Sequence, residues 1–185
     1  MDHDEVRDDE LVRRHRNGDV SAFPILVKRH GSGLYAYTRS LVRDRNVADD
    51  VYQDTLLKAW RAVAPDGTYQ TKGNFCGWLF RIAYRTALDY LRRSPVQQLA
   101  GTIPSGVLSP EDVALAKETR SIIMRCVEEC LDPVERSVLI LRCCEGMKVE
   151  EVAEIHDIAI GTVSKWVQRA LAKLREHLQQ RGIDV

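Results

Sequence analysis

The side chains best placed for chemistry lie in one short stretch near the carboxy terminus. Thr162, Ser164, Lys165, Gln168 and Arg169 fall on the exposed early turns of a helical pattern, and Lys173 extends the row. Their chemistry is that of nucleic-acid contact: Lys and Arg donate to phosphates and guanine acceptors, and Gln suits adenine. Charge points the same way. From Leu131 to Asp157 the acids Asp132, Glu135, Glu145, Glu150, Glu151, Glu154 and Asp157 stand against Arg136, Arg142 and Lys148, a net −4. From Ile158 to Gly182, Lys165, Arg169, Lys173, Arg175 and Arg181 stand against Glu176 alone, a net +4. A positive helix is what phosphate contact requires. By spacing and charge alone, a helical hairpin with a solvated basic face is the alternative.

No other constellation suggests a reaction. The five histidines are scattered without a pair at ligand spacing, and there is no phosphate-binding glycine loop, nucleophile elbow or H-E-x-x-H run. Cys126 and Cys130 lie one helical turn apart and Cys143 and Cys144 are adjacent. Buried packing is the simpler reading of these thiols, with a metal or redox switch as the alternative. The sequence therefore predicts no catalytic residue, no metal and no cofactor.

A DNA-reading helix needs a second helix to hold it, and Val149–Leu174 supplies both. Val152, Ala153 and Ile155 give a first helix near Glu150–His156 an apolar side. A short turn follows, and Val163, Val167, Ala170, Leu171 and Leu174 recur at helical spacing in a second helix near Thr162–Gln180. So short a turn forces a steep crossing, as in a DNA-binding helix-turn-helix, and the small Ala153 permits close approach.

Helical periodicity dominates elsewhere too, and no strand alternation stands out. The pattern predicts helices over Asp9–Asn17, from Ser21 onward, Leu34–Arg43, Ala48–Val63 and Asn74–Arg93. The stretch Ser94–Leu108 has two prolines, two glycines and no charge, and reads as a linker. Ser109-Pro110 and Asp132-Pro133-Val134-Glu135 then restart helices with a capping side chain followed by proline. The expectation is an all-α protein of two small helical domains, 1–94 and 110–185, joined by a flexible linker at 95–109.

At 185 residues, 44% hydrophobic and 29% charged, the chain can bury real cores. Its 27 bases balance its 27 acids, so nucleic-acid binding rests on where the charges sit. No run approaches the ~18 apolar residues of a membrane span, and the acidic start MDHDEVRDDE is unlike a secretory signal. A cytoplasmic protein with reduced cysteines is expected.

The segments LDPVERSVLILRCCEG, EEVAEIHDIAIGTV and KWVQRALAKLREHL, within Leu131–Leu178, resemble region 4 of bacterial RNA polymerase sigma factors of the extracytoplasmic-function group. ADDVYQDTLLKAWRA at Ala48–Ala62 resembles their region 2.2, and GWLFRIAYRTALDYLRR at Gly77–Arg93 resembles regions 2.3 and 2.4. Asn17–Val42 is similar to the opening of region 2, so the likeness runs from about Glu10 to Leu178.

That resemblance implies functions for the first half. On the Ala48–Val63 helix, Ala48, Val51, Tyr52, Thr55, Leu56, Ala59, Trp60 and Val63 form one apolar stripe, expected to be buried. Asp50, Gln53, Asp54 and Leu57 share another face, and by resemblance they dock on the polymerase. The implied partners are core RNA polymerase, through its β′ clamp helices and β flap, promoter DNA and an anti-sigma factor. Tyr69, Lys72, Asn74, Arg81 and Arg85 would engage the −10 element, where unpaired bases stack and phosphates need cations. Tyr69 is read equally well as a half-buried loop anchor.

The chain departs from the family pattern at Arg85, where Asn is common, and at Trp166, where Arg is common. Ala159 and Asp157 replace a usual Ser or Thr cap and a usual Gly. Asp tolerates left-handed backbone, so the turn is expected to survive; Thr162 or Gly161 is left to cap the second helix. A stand-alone helix-turn-helix regulator and a sigma mimic that titrates an anti-sigma factor are the rival readings.

Overall fold

The computed structural model describes residues 6–42, 44–70, 73–93 and 126–182, and these form helices with no strand among them. The linker, Lys72 and nearly all of the helix expected to begin at Ser109 lie outside the described residues; 126–130 are helical. Among the described residues no helix is long and apolar enough to cross a membrane.

The amino-terminal unit contains α1 (Asp8–Arg16), α2 (Ala22–Leu41), α3 (Arg45–Val63) and α4 (Phe75–Arg93). Asp8 ties α1 to α2 by accepting from the Arg29 guanidinium and lying 2.8 Å from His30 Nε2. Ser21 does not cap α2; Asp19 instead accepts from the Ser21 amide at 3.0 Å and its hydroxyl at 2.6 Å. Asp44 caps α3, accepting from the amides of Asn46 and Val47.

Two helices expected between Ser21 and Arg43 are one continuous helix of 20 residues. Gly31 and Gly33, which fall where the break was expected, are sites of close approach. A Cβ on Gly31 would lie 2.9 Å from the Tyr52 hydroxyl, and one on Gly33 would lie 2.4 Å from Glu145 Oε1. Glycine costs such a helix roughly 1 kcal/mol per position, which the surrounding packing offsets.

The carboxy-terminal unit contains α5 (Pro133–Leu139), a π-helical turn at Ile140–Cys144, α6 (Val149–His156) and α7 (Ile160–Gln180). Asp132 and Glu135 form the capping box at the start of α5, with proline at its first turn. In the π-helical turn the Glu145 amide bonds to the Ile140 carbonyl at 3.1 Å.

The stripe expected on α3 is buried at Ala48, Val51, Thr55, Ala59 and Val63 and half-buried at Tyr52 and Leu56. Trp60 breaks the expectation: it is 49% exposed. It sits at the stripe's edge, one turn beyond Leu57, where the helix surface turns away from its neighbours. The two helical units share a core, which runs from Leu34, Tyr37 and Phe80 into Val138, Leu141, Val152, Ile155 and Val163. A smaller cluster of Val127, Leu131, Leu139 and Ala170 belongs to the carboxy-terminal unit alone.

Candidate nucleic-acid interface

The turn between α6 and α7 spans Asp157–Ala159, and Asp157 takes left-handed backbone at φ 56° and ψ 50°. The Ile158 amide closes the turn on the Ala153 carbonyl at 3.0 Å. Ala153, 5% exposed, leaves room for α7 to cross. At the start of α7 the structure corrects one expectation: neither Thr162 nor Gly161 caps the helix. Ala159 stands at the cap, and the Thr162 amide bonds only to its carbonyl, at 2.9 Å.

Val163 and Ala170 are fully buried, which fixes the rotation of α7 about its axis. The opposite face then presents Ser164, Lys165, Gln168 and Arg169 to solvent, with Thr162 half-buried beside them. Lys173 differs. Its ammonium donates to both oxygens of Glu135, at 2.7 and 2.8 Å, and the Glu135 side chain is only 3% exposed. In this structure Lys173 anchors α7 to α5 and supplies the counter-charge for a buried carboxylate. Trp166 is half-buried against the core.

In the amino-terminal unit Tyr69 is an anchor. It is 5% exposed, its ring centroid lies 4.3 Å from that of Trp78 and 5.8 Å from that of Phe75. Burial first, then the Asp9 and Asp8 charges, push its phenol up to about 12. The Arg16 guanidinium donates to its carbonyl. Asn74 begins α4: its Oδ1 accepts from the Gly77 amide at 2.8 Å while its Nδ2 donates to Glu151 at 3.0 Å. Arg81 is half-buried and Arg85 exposed on the same helix. Tyr69, Asn74, Trp78 and Arg81 line one wall of a cleft of about 370 Å³, and Glu151, Glu154 and Ile155 of α6 line the other.

On α3, Asp50, Gln53 and Leu57 are exposed, Leu57 by 51%. Asp54 is half-buried and accepts from the Tyr90 hydroxyl at 2.9 Å, which holds that phenol above its ordinary range. Trp60 adjoins this face and enlarges its apolar part. The i+3 spacing from Leu57 was the available signal, but an aromatic at a stripe's edge is equally compatible with burial.

His156 was not singled out by sequence, yet it joins the two units. It is 3% exposed, with Nε2 3.3 Å from the Tyr37 hydroxyl and 3.4 Å from the Ser137 hydroxyl. Its ring centroid lies 4.5 Å from that of Tyr84. Burial pushes the imidazole down from 6.5 to about 4. A depressed folded value means the unfolded chain binds the proton more readily, so stability is complete above 6.5 and falls as pH drops toward 4. The loss expected between pH 7 and 4.5 is about 2 kcal/mol, seen in urea titrations at those two pH values and reduced in His156→Gln.

None of the five cysteines forms a disulfide, and no described group of His, Cys, Asp and Glu is arranged to hold a metal.

Comparison with known proteins places this geometry. The sequence matches Sigma-70 region 2 over residues 26–95 and Sigma-70, region 4 over residues 120–174. It is 31% identical to the ECF RNA polymerase sigma-E factor of Escherichia coli over 95% of this chain and 96% of that one. CnrH, solved with the cytosolic domain of CnrY, superposes with a TM-score of 0.67 at 28% identity, covering 94% of this chain and 97% of that one. The sigma factor RpoE of Bartonella quintana, solved with the anti-sigma factor NepR, gives 0.66 at 26% identity, covering 86% and 98%. Fold and site thus define a two-region transcription factor. The chain belongs to the ECF group of RNA polymerase sigma factors, and it directs transcription initiation from promoters.

Proposed function

We propose that this sigma factor reads the −35 duplex with α7, captures the −10 strand on α4 and its preceding loop, and docks on core polymerase through α3. The observation that carries the reading is the outward face of α7. Ser164, Lys165, Gln168 and Arg169 are exposed on a helix whose opposite side is locked by Val163 and Ala170. That is the arrangement a recognition helix needs in a major groove. The functional division is 1–94 for docking and −10 recognition, 95–109 as linker and 110–185 for −35 recognition. Core enzyme holds both contacts at their spacing, so each gains from effective concentration.

The protein lends specificity and leaves the chemistry to the polymerase, acting in the cytoplasm. The likeness to CnrH bound to CnrY and to RpoE bound to NepR supports an anti-sigma factor as a partner. Run-off transcription with bacterial core enzyme on a genomic promoter library tests the whole reading. Initiation from a defined promoter set, absent without the protein, is expected. Tight duplex binding without core enzyme and no transcripts would instead identify a stand-alone regulator, and partner binding without transcription a mimic.

Arg169→Ala in the reconstituted holoenzyme is expected to weaken −35 binding by roughly 1–3 kcal/mol and to lower the salt slope by about 1. Promoter-duplex titrations at several salt concentrations check this, and an unchanged slope removes Arg169 from the phosphate contacts.

A further inference from the structure

Two polar side chains of α1 reach the loop that precedes α4. Asp9, Val12 and Arg16 share one face of the helix, at i, i+3 and i+7. Val12 is fully buried, which turns that face inward. The Arg16 guanidinium donates to the Tyr69 carbonyl, and its Nε is buried as well. Among the described residues Arg16 makes no ion pair, so its charge is committed to this carbonyl. Asp9 lies toward the loop's far end, its Oδ2 3.9 Å from where a Cβ on Gly73 would stand. The Asp8 contacts with Arg29 and His30 fix α1 itself on α2.

Tyr69 is held from three sides. Its amide donates to the Ala62 carbonyl at 2.9 Å, at the end of α3. Its carbonyl takes the Arg16 guanidinium, and its ring packs on Phe75 and Trp78. The amide belongs to the peptide plane shared with Thr68, and the carbonyl to the plane shared with Gln70. Because peptide units are planar, fixing both groups fixes where the two neighbours leave the chain. Thr68 and Gln70 are exposed, and both line the cleft with Asn74 and Arg81. Without Arg16 the second plane loses its tether, and Gln70 gains other orientations.

We propose that Arg16 is a positioning residue for −10 selection: α1 braces the loop from beneath and sets the directions in which Thr68 and Gln70 face the strand. This rests on the −10 reading of α4 and its preceding loop. Arg16 touches no base in this scheme; it acts through the Tyr69 carbonyl. Its removal is therefore expected to blur the choice among −10 sequences more than it slows initiation at any one of them.

The test uses full-length protein reconstituted with core polymerase. Initiation rates are compared on the −10 element recovered by run-off transcription and on each of its single-base variants. Arg16→Met is expected to lower the discrimination between them about tenfold, the factor that one charge-assisted hydrogen bond is worth. Binding of the −35 duplex and co-purification with core enzyme are expected to stay unchanged. Arg16→Lys, which keeps a charged donor, is expected to restore most of the discrimination. Should Arg16→Met fail to fold, Arg16→Gln replaces it, polar but too short to reach the Tyr69 carbonyl. A uniform fall on every template with the ratios preserved would make Arg16 a merely structural brace and overturn the inference. Unchanged ratios and rates would overturn it too, and in both cases a discriminating wild type leaves the −10 reading standing. A wild type indifferent to every −10 substitution would remove the −10 reading itself, and the inference with it.

Discussion

Replacing Asp50 with Lys and Leu57 with Asp together is expected to abolish co-purification with core RNA polymerase while leaving the helical content and thermal midpoint unchanged. Both side chains are exposed on α3, so neither change disturbs the core beneath. A lone surface charge pair contributes little. A charge reversal inside a desolvated interface is different, because a like charge costs several kcal/mol once water is excluded. Leu57, half exposed and beside Trp60, has the character of an apolar anchor, and such anchors carry much of an interface's energy. A loss of at least roughly 3 kcal/mol, above a hundredfold in affinity, is expected. Asp54 is the less suitable single site because it also holds Tyr90. Normal co-purification of the double variant would show that polymerase docks on another face.

The largest stability effect is expected at Phe80. Its side chain is fully buried and its ring centroid lies 5.2 Å from that of Tyr37. Phe80→Ala removes a large volume from a core that both units share, so collapse around the cavity is restricted. A cost of about 3–5 kcal/mol is expected, lowering the thermal midpoint by about 10 °C. Phe80→Leu retains most of the volume and should cost about 1 kcal/mol. If calorimetry on Phe80→Ala showed an unshifted transition, the shared core would not hold in solution.

Much of the protein is legible in local sequence because the responsible forces are local. Asp132-Pro133-Val134-Glu135 announces the start of α5, since capping is settled within four residues. The −4 to +4 change of charge separates α6 from α7, and Val163 with Ala170 tells which side of α7 faces inward. Asp157 in left-handed geometry follows from the short polar side chain. What stayed hidden depends on neighbours distant in sequence. The break expected before Leu34 is absent: Gly31 and Gly33 lie inside α2, with Tyr52 and Glu145 close against them. Trp60 lies at the edge of its stripe, and periodicity does not decide which way an edge residue faces.

The residue types, their spacing and their charge determined by themselves an all-helical chain with a helix-turn-helix and a basic outward face. Those properties arise from turns, caps and i+3/i+4 neighbours, all encoded within a few residues of one another. Only tertiary structure decided that Lys173 is spent on Glu135, that Tyr69 is an anchor, and that Glu151 reaches Asn74 across 77 positions of chain. Each of these is a choice of partner between two charged, aromatic or amide groups that have many possible partners. Such choices are made by packing, which brings one candidate within reach and leaves the others in water.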